Sequence, residues 1–223
     1  MSAAPVIAID GPSASGKGTV SAQVAHALGF HFLDSGALYR LVGLAALNRA
    51  VALDDTLAVA EIARDLNVVF QPAGVELDGV DVTRTIRQER VSAAASKVAA
   101  LQPVREALLT RQRAFRAWPG LVADGRDMGS VIFPDAVLKI YLTAEPAERA
   151  RRRYKQLIDK GMGASMPDLL EEIRERDARD SERAAAPLRK CPDAIELDTT
   201  GLSIGATVDR VLALYRKRAN PVP

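Results

Sequence analysis

At 223 residues the chain is long enough for one well-buried core, with room for a small inserted subdomain. Apolar residues at 48% and charged residues at 26% exclude a disordered chain, and a net charge of +2 is too small to argue for a nucleic-acid surface. The single cysteine, Cys191, excludes an intrachain disulfide and a four-cysteine zinc site, and reads as a partly buried structural thiol beside Pro192.

Met1–Pro5 carries no basic residue ahead of the first apolar run, which ends at Asp10 and is too short for a signal peptide or a membrane span. No later run approaches the roughly 18 uninterrupted apolar residues that a span needs. The expectation is a cytoplasmic protein without a membrane partner.

Val6–Ile9 is continuously apolar, as in a central parallel strand buried on both faces. A glycine-rich turn follows, then a helix with Val20, Val24 and Leu28 on one stripe, ended by Gly29. Phe32-Leu33 reads as a second strand, and Asp34-Ser35-Gly36 leads into a helix with Leu38, Leu41, Val42 and Ala45 inward. Strand and helix alternating in this way point to an α/β fold with a parallel sheet.

The pattern then changes to short β-type runs, Val68–Phe70, Val75–Leu77 and Val80–Val82, separated by Pro72-Ala73-Gly74 and Asp78-Gly79 as tight turns. A small antiparallel insertion is expected over about residues 63–100, ending in a helix around 92–100 and leaving 1–62 and 101–223 as the core. The core resumes with a helix opened by Pro103 and bearing Val104, Leu108 and Phe115. Further strands are expected at Leu121–Ala123 and Val137–Leu142, then an arginine-rich helix around Glu145–Lys160. Gly161-Met162-Gly163 separates it from a helix begun by Ser165 and Pro167 and carrying Leu169, Leu170 and Ile173. A strand at Ala194–Leu197 and a helix with Ile204, Val208, Val211, Leu212 and Tyr215 on one face complete the chain.

Gly11-Pro12-Ser13-Ala14-Ser15-Gly16-Lys17-Gly18-Thr19 lies between a buried strand and a helix, the context a phosphate-binding loop requires. Glycines let successive backbone N–H groups turn inward around an oxyanion, the helix N-terminus adds its positive end, and Lys17 adds a full charge. Gly18 stands where a hydroxyl usually meets Mg²⁺, with Thr19 one place later. The guanine-reading motif of switch GTPases is absent, because no asparagine is followed by lysine.

Arginines cluster at strand ends and along helices, as expected where two polyanionic substrates must meet. Arg40 lies in the helix after the second strand, and Arg126-Asp127 follows a strand's carboxyl end, where open α/β sheets bind ligands. Asp124 occupies the position of an acidic residue able to hold a metal's water shell. The spacing of Arg176, Asp180 and Arg183 puts them on one helix face, although Glu171–Arg183 alone also fits a solvated helix. Arg149, Arg151, Arg152 and Arg153 before the glycine pair fit a hinged basic flap or a plain surface helix. His26 and His31 have no ligand spacing and read as structural.

Together the segments Gly11–Thr19, Leu33–Arg40, Ala95–Ala99, Val104–Leu109, Ala123–Gly129 and Arg176–Asp180 resemble the bacterial cytidylate kinases, over nearly the whole chain. The resemblance implies a P-loop NTPase-type parallel sheet flanked by helices, a β-rich insertion that binds the nucleoside monophosphate, and a short helical lid at about 148–165. It implies transfer of a phosphoryl group from ATP, with Mg²⁺, to CMP or dCMP; independently of it, the default expectation is a monomer. By matching position, Arg40, Arg126 and Arg183 would hold the acceptor phosphate, and Ser96, Arg105 and Asp127 would read cytosine. Arg176 and Asp180 would meet the sugar, Ser35 would lie near the acceptor, and Arg152 and Arg153 would close over the triphosphate. Lys17, Arg126, Arg183, Arg152 and Arg153 would carry catalysis, with Thr19 and Asp124 holding the metal through water. Two other readings stay open: a kinase of a small hydroxyl compound using Asp34 or Asp124 as base, and a non-catalytic nucleotide switch.

Overall fold

The computed structural model describes residues 3–71, 74–159, 161 and 163–219. In chain order its elements are β1 (Val6–Asp10), α1 (Lys17–Leu28), β2 (His31–Asp34), α2 (Ser35–Asn48), α3 (Thr56–Arg64), β3 (Val68–Gln71), β4 (Gly74–Leu77), β5 (Val80–Asp81), α4 (Glu89–Val98), α5 (Gln102–Arg113), β6 (Leu121–Gly125), β7 (Leu138–Thr143), α6 (Pro146–Ile158), α7 (Met166–Glu182), β8 (Ile195–Asp198) and α8 (Ile204–Ala219). Two compact units result, one of Met1–Leu33 with Phe115–Pro223 and the other of Asp34–Ala114. Among the described residues no helix is long and apolar enough to cross a membrane.

The first unit is built on a five-stranded sheet of order β2-β6-β1-β7-β8. Strand β1 pairs in parallel with β6 and β7, and β7 in parallel with β8. The apolar run that ends in Asp10 is central, so both its faces are covered and all five residues are buried. Ile7, Ile9, Val122, Ile140 and Leu142 of the sheet share a core with Val20 and Val24 of α1 and Val208, Val211 and Leu212 of α8. Helix α1 stops at Gly29, whose φ of 64° suits a residue without Cβ. Helices α6 and α7 pack on each other through Ala150, Leu169 and Ile173. The β1–β6 register sets Asp10 opposite Gly125, so the residues that follow both strands leave the sheet at its carboxyl edge.

In the second unit α2 packs against α4, and α3 against α5. Leu38, Leu41 and Leu44 of α2 are essentially fully buried, each contributing roughly 1.5–3 kcal/mol by leaving water. Strands β3, β4 and β5 form an antiparallel sheet. The Asp78-Gly79 turn has positive φ at both residues, 52° and 78°, the geometry that matches strand twist in a two-residue hairpin.

Several elements depart from the sequence reading. Helix α3 was not expected, yet Asp55 caps it by accepting the Ala58 N–H at 3.1 Å, and Val59, Ala60, Ile62 and Ala63 are buried. Helix α4 starts at Glu89 rather than near 92, because Val91, Ala94, Ala95 and Val98 make one buried stripe. Phe115 lies beyond the end of α5. The compact unit is also wider than the 63–100 insertion, since α2, α3 and α5 pair with one another and with α4. Pro72 and Ala73 of the expected turn, and Lys160 and Met162 of the expected hinge, lie outside the described residues.

Candidate active site

The segment between β1 and α1 turns through three positive φ values, at Gly11 (154°), Ala14 (57°) and Gly16 (89°). Such alternation makes a nest of inward-facing N–H groups at a helix N-terminus, suited to an oxyanion. Gly11 is required for a second reason: a Cβ there would stand 2.0 Å from the carbonyl oxygen of Leu142. Ser15 Oγ donates to Pro12 O at 3.0 Å and braces the loop internally.

Lys17 Nζ donates to Pro12 O at 3.1 Å and lies 4.0 Å from Asp124 Oδ1. Burial and then the neighbouring Arg126 push the Lys17 ammonium down to about 8, while Asp124 works the other way. A Cβ on Gly18 would meet Asp124 Oδ2 at 3.2 Å. The carboxylate from β6 therefore sits beside the space a Ser or Thr side chain would take at that position. Among the described residues no group of three or more His, Cys, Asp or Glu is arranged to hold a metal. The lone Asp124 carboxylate beside the phosphate loop fits a cation that keeps much of its water and relies on phosphate oxygens, as Mg²⁺ does. Thr19 is exposed in the first turn of α1.

On the other side of Asp124 the chain continues into Arg126-Asp127. Arg126 Nε donates to Asp180 Oδ2 at 2.8 Å and Nη1 to Gly125 O at 3.1 Å. Burial opposes the Arg126 charge, but Asp180, Asp124 and Asp10 outweigh it and hold its pKa above the ordinary value. Burial likewise opposes the Asp180 carboxylate, and Arg126, with Arg176 and Arg183, more than offsets it and holds the carboxyl below its ordinary value. Asp127 is buried, at 2% exposure, and precedes a π-helical turn over Met128–Ile132. Arg176 is half-buried one turn before Asp180 on α7.

Arg183 stands at the end of the Arg176–Asp180 face, near enough for its charge to help hold the Asp180 carboxyl low. It is the C-cap of α7, with ψ of 138°, and its Nε donates to Ala186 O at 2.7 Å. The last helical residue is Glu182, one short of Arg183, whose own N–H still donates to Arg179 O. Arg152, expected over the triphosphate, is bonded to the loop itself: Nη1 donates to Ser15 O and Thr199 Oγ1, both at 3.1 Å, and Nη2 to Thr199 O at 2.7 Å. Arg153 is half-buried on the same helix.

Within the second unit, Ser35 is buried at the first position of α2, where Asp34 caps the helix by accepting the Ala37 N–H at 3.0 Å. Arg40 Nη1 donates to Ile86 O at 3.4 Å. Ser96 Oγ, on α4, is buried with no hydrogen-bond partner among the described residues. Arg105, on α5, is buried, donates to Ala99 O at 3.1 Å, and has its guanidinium carbon 5.7 Å from the centre of the Tyr39 ring. At that distance the Tyr39 ring attracts the guanidinium by a cation–π contact.

Three residues that sequence reasoning did not assign to the site are prominent. Tyr39 supports Arg105. Arg149, 3% exposed, donates to Ala144 O at 2.9 Å, to Ser13 O at 3.1 Å and to both carboxylate oxygens of Asp177. Asp10 accepts from the N–H of Met128 at 2.8 Å and of Gly129 at 2.9 Å. Burial lifts its carboxyl to about 6 against those two bonds. An aspartate closing an apolar strand was the available signal for Asp10; nothing in the spacing singled out Arg149 from its neighbours.

The family model described as cytidylate kinase matches residues 7–217. The chain belongs to the cytidylate kinase family. The cytidylate kinase of Burkholderia ambifaria is 58% identical over 217 residues, 97% of this chain and 95% of its own. That of Nitrosomonas eutropha is 59% identical over 211 residues, 95% of this chain and 94% of its own. Among solved structures, a gluconokinase from Sinorhizobium meliloti is 17% identical with a TM-score of 0.48, covering 97% of this chain and 94% of its own.

Proposed function

We propose that this chain transfers the γ-phosphoryl group of ATP to CMP and dCMP. The single observation that carries the reading is the juxtaposition, at the carboxyl ends of β1 and β6, of Lys17 against Asp124 with Arg126 held by Asp180, in a chain of this family. ATP binds through the backbone and Lys17 of Gly11–Thr19, and Arg152 and Arg153 of α6 serve the triphosphate. Mg²⁺, held through water by Asp124 and Thr19, would neutralise charge that develops on the phosphates.

The acceptor phosphate is bound by Arg40, Arg126 and Arg183, the sugar by Arg176 and Asp180, with Ser35 close by. The attacking phosphate oxygen is already ionised at neutral pH, so no strong general base is required and neither Asp34 nor Asp124 needs to serve as one. Charge stabilisation and alignment carry the rate, and exclusion of water suppresses hydrolysis. Cytosine offers an exocyclic amine donor and two acceptors. Asp127 accepts from the amine, Arg105 donates to the acceptors, and the Ser96 hydroxyl, without a hydrogen-bond partner among the described residues, completes the set. Uracil reverses two of these groups, and a buried polar site left without partners discriminates by roughly 10⁴-fold.

A coupled ADP-release assay with Mg²⁺ and ATP against cytidine, deoxycytidine, uridine, adenosine, guanosine and thymidine monophosphates tests the proposal. Strong turnover with the cytidine pair and little with uridine monophosphate is expected. Turnover with another monophosphate discards the base-reading assignment, and none with any monophosphate returns the small-hydroxyl kinase or the switch. Lys17→Ala should lower kcat by about 10²-fold or more with the fold intact, and a near-normal rate would overturn the loop assignment.

A further inference from the structure

We infer that Asp10 is a positioning residue for base selection, its carboxylate fixing the backbone that carries Asp127. The inference deepens the proposed function and rests on its reading of Asp127 as the group that selects cytosine.

Asp10 ends the central strand, which is paired on both edges, and the residue is 6% exposed. Its two oxygens are used separately, Oδ1 on the Met128 N–H at 2.8 Å and Oδ2 on the Gly129 N–H at 2.9 Å. These are the first N–H groups of the π-helical turn, donors that have no partner within the turn itself. The carboxylate therefore caps that turn from a position 118 residues earlier in the chain. Asp127 is held from both sides as a result. Ahead of it, Gly125 is paired with Asp10 in the β1–β6 register. Behind it come the two capped N–H groups, and its own carbonyl accepts from Val131 at 2.9 Å and Ile132 at 3.2 Å. A Cβ on Gly129 would crowd the Lys139 stem at 3.1 Å while standing in ordinary contact, 3.5 Å, with Asp10 Oδ2.

The geometry needs two acceptors pointing at two adjacent donors, which a carboxylate provides and an amide does not. In Asp10→Asn one N–H would face the side-chain NH₂ group, the turn would shift, and Asp127 would move with it. A misplacement of about 1 Å at a reacting or reading group costs on the order of 10²-fold.

The readout is the ratio of kcat/KM for CMP to that for UMP, which does not change with the fraction of enzyme that folds. Asp10→Asn should lower this ratio by about 10²-fold, and Asp127→Ala should bring it close to one. If Asp127→Ala collapses the ratio and Asp10→Asn leaves it at the wild-type value, Asp10 does not position the base reader and the inference is lost while the reading of Asp127 stands. If Asp127→Ala itself leaves the ratio unchanged, the reading and the inference fall together. Should Asp10→Asn yield no soluble enzyme, Asp10→Glu, which keeps both acceptors but displaces them by one methylene, is measured the same way. An unaltered ratio in that variant, beside a collapsed ratio in Asp127→Ala, overturns the inference equally.

Discussion

Adding ATP to the protein at pH 8 should draw protons out of solution, and Lys17 is the group that takes them up. Its ammonium is buried beside Arg126, which together bring it from an ordinary value of 10.5 to about 8, with Asp124 opposing. With that value about half of the Lys17 side chains are neutral at pH 8 and about a tenth at pH 7. A triphosphate seated in the Gly11–Thr19 nest sets several negative charges next to the amine, which restores the charged form. The expected uptake is therefore about half a proton per ATP at pH 8 and about a tenth at pH 7. Titration calorimetry in two buffers of equal pH but different ionisation enthalpy reads this number from the slope of apparent enthalpy. Lys17→Met should abolish the uptake. Asp124→Asn removes the carboxylate that holds the value up, so uptake at pH 7 should grow. The reasoning fails if Lys17→Met retains the uptake, or if Asp124→Asn moves it toward higher pH.

Asp10 gives a pH-dependent stability of definite sign. Its folded value of about 6 lies above the ordinary 3.8, so the folded state holds more protons in that window and stability falls as pH rises through it. Relative to Asp10→Asn, the wild type should gain about 2 kcal/mol in urea unfolding between pH 7 and pH 4.5, and a change of opposite sign would refute the assignment. Arg149→Ala removes a buried guanidinium from three partners; with Asp177 partly solvated, a loss of about 2–3 kcal/mol in unfolding free energy is expected, and less than about 1 kcal/mol would show the network to be incidental. Gly11→Ala drives a methyl group onto the Leu142 carbonyl at a φ of 154°, so destabilisation of at least about 2 kcal/mol and more than tenfold weaker ATP binding should follow. Wild-type melting and ATP affinity in that variant would contradict the close approach.

Much of the molecule was legible because its signals are local. The continuous apolar stretch before Asp10, the stripe of Val20 and Val24, and Gly29 after them each report on a strand, a helix face and a stop within a few residues. The phosphate loop is read the same way, since its nest is made by consecutive backbone groups. The domain boundary was not legible. Helices α2, α3 and α5 carry the apolar periodicity of any core helix, and only their pairing with one another and with α4 assigns them to the smaller unit. Arg176, Asp180 and Arg183 fit one helical face by spacing, yet α7 ends before Arg183, whose side chain turns to Ala186 O. Among four arginines on α6, spacing could not show that Arg149 and Arg152 bond the carbonyls of Ser13 and Ser15.

The sequence by itself determined the α/β alternation, the phosphate loop with Lys17, and the resemblance that the family match upholds. These depend on neighbours in the chain, whose geometry is limited by hydrogen bonds reaching only a few residues. The tertiary structure alone decided which charges meet: Lys17 with Asp124, Arg126 with Asp180, and Asp10 with the turn behind Asp127. Those contacts span from 54 to 119 residues of chain, and two of the three depend on the parallel pairing that sets β1 beside β6 in one register. A shift of that register by one residue would leave each sequence motif unchanged and turn its side chains to the opposite face of the sheet.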